Sequence, residues 1–551
     1  IGTLLWSERT MNNIRLTPSR CFRRVLIVTA ILLFQTAILF YVSSQKKAFH
    51  IDEIYSYIIS NSSRADQISH ADDLWGEWID GQELNSFVSV QDGNQFSYKT
   101  AYLNTSKDCH PPLYYWMLHT VCSLFPGQFS KWFGLSLNIA LFVLTGLGIF
   151  LLSEELFSTP GMRYMPLLMY GLSLYAFDTV TFIRMYMLLT LFAVLFVFFC
   201  VRMLKYGVTW KRMFAAWITI FLGAITQYYG IVFCFWGVML FELILLKRRD
   251  YKHFLQFGAG SLASVVLMLV SFPYAIEQAT GSPTNNIGNE VTRNLLNFGL
   301  WKDMTISLSK AFINKLCFSS KLSHLLFIAA MVLLVYCILC AAVKQRRIPQ
   351  DAEALWLLCT TVLTFLSISF IGGEYVYLRY IYFIIPFFFI LFLFAVDWLL
   401  SNNGTLRNTA VVLLILFSVG NGSLAAMRDC SGYLFQEQSF DIATISEYRE
   451  YPCVMSSGSN RSTAIPTGDL IALSGFSTLY MDTEADIITS DVISTCLQDH
   501  GSCIVFAPNS PYWIKSLETD DFFRQALPQG YFPTYICDGC LGQYYLVSTQ
   551  P

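Results

Sequence analysis

The chain has 551 residues, of which 54% are hydrophobic and only 13% are charged. Soluble domains carry about 25% charged residues, so this composition excludes an ordinary soluble globular protein. The formal net charge of −2 also argues against a nucleic-acid-binding protein, which needs a basic surface.

Apolar runs long enough to cross a membrane recur along the chain, since about 20 residues span a bilayer core as a helix. The first run, 25–44, contains no charged residue and follows Arg15, Arg20, Arg23 and Arg24. We interpret it as a retained span, because a signal peptide has a shorter apolar region followed by a small-residue cleavage site. Ten further runs bring the predicted number of spans to about eleven. They lie near 132–152, 164–180, 185–204, 214–227, 231–246, 254–274, 323–342, 354–371, 380–400 and 409–427.

The distribution of Lys and Arg supports this count. Basic clusters fall within 202–212, 247–252 and 344–347, and the count places all three on the cytoplasmic side, together with the N-terminus. If the apolar segment 111–125 crossed the membrane fully, every later loop would lie on the opposite side of the membrane. We therefore interpret it as an interfacial or re-entrant helix on the outer face, which suits its proline start and its aromatic content.

The predicted fold class is an all-α polytopic membrane protein with a small C-terminal α/β domain. A cytoplasmic N-terminus at 1–24 precedes the transmembrane domain at 25–428, whose long outer loops are 45–110 and 275–322. In 429–551, short β-like runs alternate with helical stretches, which indicates one small extracytoplasmic domain. Its predicted strands are 453–457, 477–481, 503–507 and 543–547.

Six of the fifteen cysteines lie in this C-terminal segment. An oxidising exterior would let them pair, although sequence alone does not give the pairing. Cys537 and Cys540 have the spacing of half a zinc site. No second pair with zinc-ribbon spacing follows them, so a disulfide or free thiols are favoured over zinc.

The first outer loop begins with two adjacent carboxylates, Asp52 and Glu53, close to Tyr55. The ordinary interpretation is a solvated helix start, where the helix dipole favours acids. The functional alternative is a general base at the membrane surface, where partial desolvation raises a carboxylate pKa toward neutrality.

The same loop ends in the residues Asp108-Cys109-His110-Pro111-Pro112-Leu113-Tyr114-Tyr115. The two prolines fix the backbone and start a helix, so they hold His110 just before that helix. The alternative is that this motif only starts the helix and has no catalytic role, because a lone histidine is more often structural than catalytic.

Two arginines lie at predicted outer ends of spans. Arg184 is followed by Met185-Tyr186, and Arg379 lies between Glu374 and Tyr380. Snorkelling to the interface is one explanation. Positive charge is not favoured by topology on this side, however, and the planar guanidinium suits a phosphate partner.

These motifs, in this order, resemble the GT-C superfamily. The similarity is closest to the protein O-mannosyltransferases (dolichyl-phosphate-mannose-dependent) and the aminoarabinose transferases, which use polyprenyl-phosphate sugars. The residues that carry it are Asp52-Glu53, His110 to Tyr115, Arg184-Met185-Tyr186 and Arg379-Tyr380, and it covers roughly residues 20–400. The resemblance implies that Asp52 is the general base with Glu53 in support. It also implies that Arg184 and Arg379 face the donor phosphate.

One departure from the family concerns the residues after His-Pro-Pro-Leu, where protein mannosyltransferases commonly have a basic residue. Tyr114 and Tyr115 stand here instead, which weakens an expectation of protein mannosylation. Tyr228 lies at another outer turn and is expected either to line the same cavity or, as the alternative, to serve as an aromatic of the membrane belt.

The predicted function is inverting transfer of a sugar from a polyprenyl-phosphate donor to a lipid, glycan or protein hydroxyl on the extracytoplasmic face of a cell membrane. The resemblance favours a bacterial origin. A divalent metal ion is left open, with Asp52, Glu53, His110 and Glu374 as its candidate ligands. The alternatives are a lipid or sugar transporter (a flippase), for which internal repeats are expected, and a receptor whose C-terminal domain is the functional part.

Overall fold

The computed structural model describes residues 18–64, 67–280, 297–329, 332, 352–371, 377–428, 430–435, 438–508 and 516–549. Helices form most of the chain before residue 430. Those up to residue 181 are α1 Pro18–Ser44, α2 Ile51–Asn61, α3 Asn85–Val88, α4 Tyr98–Ser106, α5 Leu113–Ser123, α6 Lys131–Leu156, α7 Met165–Gly171 and α8 Leu174–Thr181. The next are α9 Tyr186–Tyr206, α10 Trp210–Ala224, α11 Tyr229–Lys247, α12 Tyr251–Ser271, α13 Tyr274–Thr280, α14 Phe298–Asn314, α15 Ala352–Ile371, α16 Ile385–Leu399 and α17 Gly404–Met427.

Eight helices of the described part are long and apolar enough to cross a membrane, judged by length and composition. They are Phe22–Ser44, Lys131–Leu156, Tyr186–Tyr206, Tyr229–Lys247, Tyr251–Ser271, Ala352–Ile371, Leu378–Leu399 and Gly404–Met427. The predicted fold class, a polytopic helical membrane protein with a small C-terminal sheet, is confirmed.

Two predicted spans differ from single long helices. The run 164–180 divides into α7 and α8, because the side chain of Ser173 accepts a hydrogen bond from the Ala176 N–H and starts a new helix. The run 214–227 forms α10, whose 15 residues reach about 23 Å, less than a hydrocarbon core of about 30 Å. The run 323–342 is helical up to residue 329, and beyond that only residue 332 lies within the described residues. The number of eleven spans therefore stays a prediction.

The segment 111–125 forms the short helix α5, which has 11 residues. A helix of this length rises about 16 Å and cannot cross a bilayer core alone. Its length agrees with the interfacial or re-entrant interpretation.

Six strands form one sheet, and five of them follow the last long helix. Its strands are β1 Trp78–Ile79, β2 Cys453–Ser456, β3 Leu479–Asp482, β4 Cys503–Pro508, β5 Phe532–Asp538 and β6 Gly542–Ser548, in the order β1-β3-β2-β4-β6-β5. The central strands β3, β2 and β4 are parallel, and the outer pairs are antiparallel. The accompanying helices are α18 Gln438–Ser446, α19 Ala464–Gly468, α20 Leu470–Leu473, α21 Glu484–Thr489, α22 Val492–His500 and α23 Thr519–Ala526.

All four predicted strands have a counterpart in this sheet, but two observed strands were missed. Strand β5 contains Pro533 and is largely exposed, and proline within a run argues against a strand unless it lies at an edge. Strand β1 has two residues and belongs to the first outer loop, where Trp78 pairs with Tyr480. The first outer loop and the C-terminal segment therefore share one sheet.

The two faces of this sheet pack against different partners. Met455, Ile504 and Phe506 belong to the hydrophobic core that continues into the membrane helices. Val454 and Val505, on the opposite face, belong to a separate cluster with α21, α22 and α23. Helix α19 packs against α2, so the sheet lies directly over the start of the first outer loop.

The contact between the first outer loop and the sheet region depends on Gly81, whose N–H donates to the Phe476 carbonyl at 3.0 Å. A Cβ at this position would lie 2.4 Å from the Leu473 carbonyl oxygen and 2.6 Å from that of Phe476. We expect Gly81→Ala to cost about 1–3 kcal/mol through overpacking and to lower the melting temperature in detergent. Gly420→Ala is the matched control, since a Cβ there meets nothing within 4 Å. Equal melting of the two variants would contradict this packing.

Candidate active site

The site begins at the N-terminus of α2. The Nδ1 atom of His50 accepts a hydrogen bond from the Asp52 N–H at 3.1 Å, and the Glu53 carboxylate accepts one from the His50 N–H at 2.6 Å. Burial lowers the pKa of His50 to about 4, so its ring is neutral and able to accept. This reciprocal cap satisfies two N–H groups at the helix start and fixes Asp52 in the first turn.

The side chain of Glu53 forms contacts with several separate segments of the chain. Its carboxylate accepts from Lys46 Nζ at 2.9 Å and from the Ile183 N–H at 2.8 Å. The side chains of Lys46 and Glu53 are both 0% exposed, and Lys46 also donates to the carbonyl of Tyr433 at 2.6 Å. Glu53 therefore supports the site from behind and does not line the cavity.

Asp52 and the two arginines meet at one place. Arg379 Nη2 lies 3.0 Å from Asp52 Oδ2. Arg184 Nη1 donates to the Asp52 carbonyl at 3.1 Å and to Ser56 Oγ at 3.2 Å. The first outer loop and two distant helix ends thus bring together the carboxylate and the guanidinium groups that the sequence singled out.

The pKa of Asp52 moves in the opposite direction from the sequence-based expectation. Burial would raise the pKa of this carboxyl, but the charges of Arg184 and Arg379 outweigh burial and lower the pKa below its ordinary value of 3.8. The expectation that desolvation raises it toward neutrality was wrong, because it considered Asp52 without its cationic partners.

A second polar group lies on the other side of Arg184. Arg184 Nη1 donates to the Tyr115 hydroxyl at 3.2 Å, and that hydroxyl donates to Asp108 Oδ2 at 3.2 Å. His110 Nδ1 lies 3.1 Å from the same Asp108 oxygen, and Arg184 Nη2 lies 3.4 Å from His110 Nδ1. Burial and the charge of Arg184 lower the pKa of His110, which keeps its ring neutral.

These groups surround a cavity of about 310 Å³. Its lining includes Asp52, Tyr55, Ile59, Gln67, Asn104, Lys107, Asp108, Cys109, His110, Arg184, Tyr186, Arg379 and Tyr380.

Two other predicted site residues do not line the cavity. Glu53 is bound to Lys46. Tyr228 donates to Gln278 Oε1 at 2.6 Å and is not part of the cavity lining. Glu374 lies outside the described residues.

Several lining residues were not predicted. Asp108 stands directly before the Cys-His-Pro-Pro motif, and its position beside His110 was a usable signal. Asn104 and Lys107 lie on or directly after helix α4, and Gln67 lies in the middle of the outer loop. None of these three belongs to a recognisable motif, so they could not be identified from the sequence.

Two of the residues left open as metal ligands are already paired with cationic side chains. Glu53 is held by Lys46, and Asp52 is paired with Arg379. Another set has a better arrangement, since Asp108, Cys109 and His110 offer ligand atoms within 4.8 Å of one another. Carboxylate, thiolate and imidazole ligands together would suit zinc, but burial raises the pKa of the Cys109 thiol well above its usual range.

No protein-family model matches the chain, and no curated protein matches it. Among solved structures, the chain is similar to ArnT from Cupriavidus metallidurans in the apo state, with 13% identity and a TM-score of 0.52 over 96% of this chain and 98% of that one. The chain has a GT-C fold. For ArnT bound to undecaprenyl phosphate the identity is 12% and the TM-score 0.51, over 95% and 97% of the two chains. The apo oligosaccharyltransferase of Archaeoglobus fulgidus has 11% identity and a TM-score of 0.49, over 87% of this chain and 69% of that one.

The buried pair of Lys46 and Glu53 leads to a stability prediction. Glu53→Gln leaves the Lys46 charge buried without its partner, which costs about 3–5 kcal/mol, so we expect a markedly lower melting temperature. Adding Lys46→Met to this variant removes the uncompensated charge and should restore part of the loss. Thermal unfolding in detergent measures both effects. A Glu53→Gln protein that melts with the wild type, or a double variant that melts lower still, would show that the pair does not hold the site.

Proposed function

We propose that the protein is a membrane glycosyltransferase that moves a sugar from a polyprenyl phosphate to an acceptor hydroxyl. The observation that carries this proposal is the convergence of Asp52, Arg184 and Arg379 on one cavity. A carboxylate beside two fixed guanidinium groups provides a base and a phosphate site together. The GT-C fold and the bound undecaprenyl phosphate of one structural neighbour support the same assignment.

The two arginines are suited to a donor phosphate. The Nε atoms of Arg184 and Arg379 are both buried, and neither has a hydrogen-bond partner among the described residues. A buried donor without a partner costs free energy, so a ligand oxygen is favoured there. A guanidinium can also donate two parallel hydrogen bonds to one phosphate.

In the proposed reaction, the acceptor oxygen attacks the anomeric carbon from the face opposite the phosphate. Asp52 takes the proton from the acceptor hydroxyl as the new carbon–oxygen bond forms, while the bond to the phosphate oxygen breaks. The leaving phosphate keeps the electron pair and departs as an anion, so no separate general acid is needed. One displacement of this kind inverts the anomeric carbon.

Electrostatic stabilisation supplies much of the expected rate. Arg184 and Arg379 are in place before reaction, and preorganised charge at a leaving group is often the largest catalytic contribution. General-base assistance by Asp52 adds about 10²–10⁴-fold.

The C-terminal sheet region is proposed to form the acceptor side. Tyr55, in the cavity wall, belongs to α2, against which α19 packs. Gln67, also in the wall, accepts from Thr463 at 3.4 Å. An acceptor that enters beside this region would meet Asp52 directly.

We further propose that the cavity opens on the extracytoplasmic face of a bacterial cell membrane, with the N-terminus in the cytoplasm and residues 429–551 outside. The basic clusters support this orientation.

A flippase without transfer chemistry is the alternative. The charged groups described above lie at helix ends, which favours surface chemistry over a path through the bilayer. Mass spectrometry of copurified lipids would identify the carrier and its sugar together.

Replacement of the proposed base is the direct test. Asp52→Asn should lower turnover of a polyprenyl-phosphate sugar by about 10²–10⁴-fold, while donor binding persists because both arginines remain. Asp72→Asn is the matched control: the same amide exchange in the same loop, on a side chain that is 94% exposed. Turnover and equilibrium binding of the donor are measured on each. Normal turnover by Asp52→Asn would refute the base assignment.

The lowered pKa of Asp52 gives a pH prediction. A carboxyl whose pKa lies below 3.8 stays ionised as pH falls from 7 to about 5, so kcat/KM should keep its value over that range. The Asp52→Glu variant serves as a comparison with a longer side chain. An acid limb near pH 6 that is lost in Asp52→Asn would mean that burial, and not the arginines, sets the pKa of this base.

A further inference from the structure

A short segment, residues 431–435, connects α17 to α18 and is called the strap below. Leu434 is 2% exposed and Ser431 is 8% exposed, so much of this link is packed into the protein. It lies against the helix ends that carry the site, and the reaction proposed above assigns it no role.

The start of the strap is fixed by the buried carboxylate of Asp178. The Gly432 N–H donates to Asp178 Oδ1 at 2.9 Å, and Ser431 Oγ donates to the same oxygen at 3.2 Å. The hydroxyl of Tyr382 donates to Asp178 Oδ2 at 2.8 Å. Hydrogen bonds to a carboxylate are stronger than neutral ones, so the strap is tied firmly to α8 and to the segment that contains Arg379.

The end of the strap is fixed by the start of the first outer loop. Lys46 Nζ donates to the Tyr433 carbonyl, and the Lys47 N–H donates to the Leu434 carbonyl at 2.8 Å. Lys46 Nζ also lies 5.1 Å from the ring centroid of Phe435. Phe435 has a φ of 52°, a costly conformation for this residue type that persists where the surroundings determine it.

Between these two anchors, the side chain of Tyr433 reaches Arg379. Its ring is stacked on Phe182, with the ring centroids 4.1 Å apart and the planes at 16°. Arg379 and Tyr382 lie close enough to the Tyr433 hydroxyl to lower its pKa against the effect of burial. The guanidinium carbon of Arg379 lies 5.4 Å from the centroid of the same Phe182 ring, so Tyr433 and Phe182 together limit where Arg379 can point.

We propose that Tyr433, held in place by the strap, is a positioning residue for Arg379. This inference rests on the proposed function, since it assigns Arg379 to the donor phosphate. An arginine side chain has many rotamers, and a shift of about 1 Å in a positioned group can cost about 10²-fold in rate. Tyr433 restricts that freedom and is not part of the cavity lining.

The test uses the full-length protein and the variant Tyr433→Phe, which keeps the ring stack and removes the hydroxyl. We expect kcat to fall by about 10- to 100-fold, with the KM for the acceptor unchanged and the melting temperature near that of the wild type. In an Arg379→Lys background, the same change should have little further effect, because two residues that act through one interaction are not additive.

Tyr448→Phe is the matched control. Tyr448 is a half-buried tyrosine of the C-terminal region whose ring lies 5.8 Å from Tyr451, and it should keep wild-type turnover. Phe182→Leu is a second, independent variant, since it removes the ring beneath Tyr433 and leaves the hydroxyl. It should lower kcat in the same direction.

The outcomes separate the two proposals. If the wild type transfers sugar and Tyr433→Phe does so equally well, or if its loss is additive with Arg379→Lys, the positioning role is wrong and the proposed function stands. If the purified wild type transfers no sugar from any polyprenyl phosphate, the proposed function fails and the positioning role with it. A kcat loss that disappears in the Arg379→Lys background supports both.

Discussion

The buried ion pair between Lys46 and Glu53 is the contact on which the arrangement of the cavity depends. Glu53 holds the start of α2, where Asp52 lies, and it also holds the Ile183 N–H, one residue before Arg184. Lys46 reaches in the other direction, to Tyr433. Two charges removed from water are tolerable only when each has several well-placed partners, and these partners are the segments that must meet. The requirement to satisfy the pair therefore specifies the geometry of the cavity.

The electrostatic character of the cavity follows from three cationic side chains, Lys107, Arg184 and Arg379, that line it together with two acids, Asp52 and Asp108. The side chain of Asp52 is 26% exposed, while that of Arg379 is 12% exposed and Arg184 as a whole is 5% exposed. Such guanidinium groups cannot lose their charge. They keep Asp52 ionised but make it a weaker base. The cavity is therefore better suited to stabilise a departing anion than to provide a strong base.

The sequence predicted the parts of this protein that local patterns specify. Apolar length identified the membrane helices, and fully buried strands such as β2 and β4 were visible as short apolar runs. The order of the motifs predicted a GT-C fold and selected Asp52 and Arg184. The contacts of Lys46 and Tyr433 were not predictable, because they join residues that are far apart in the chain and belong to no motif. The pKa of Asp52 was misjudged because the expectation considered burial and left out the charges of Arg184 and Arg379.

The pairing of Trp78 with Tyr480 has a consequence for biosynthesis. Most of the chain separates these strands, and contacts between distant residues form late. Strand β1 of the first outer loop therefore stays unpaired until the C-terminal segment has been made. A chain that stops early leaves β1 without a neighbour and Gln67 without Thr463. The wall of the cavity is therefore assembled only after the C-terminal segment has been made.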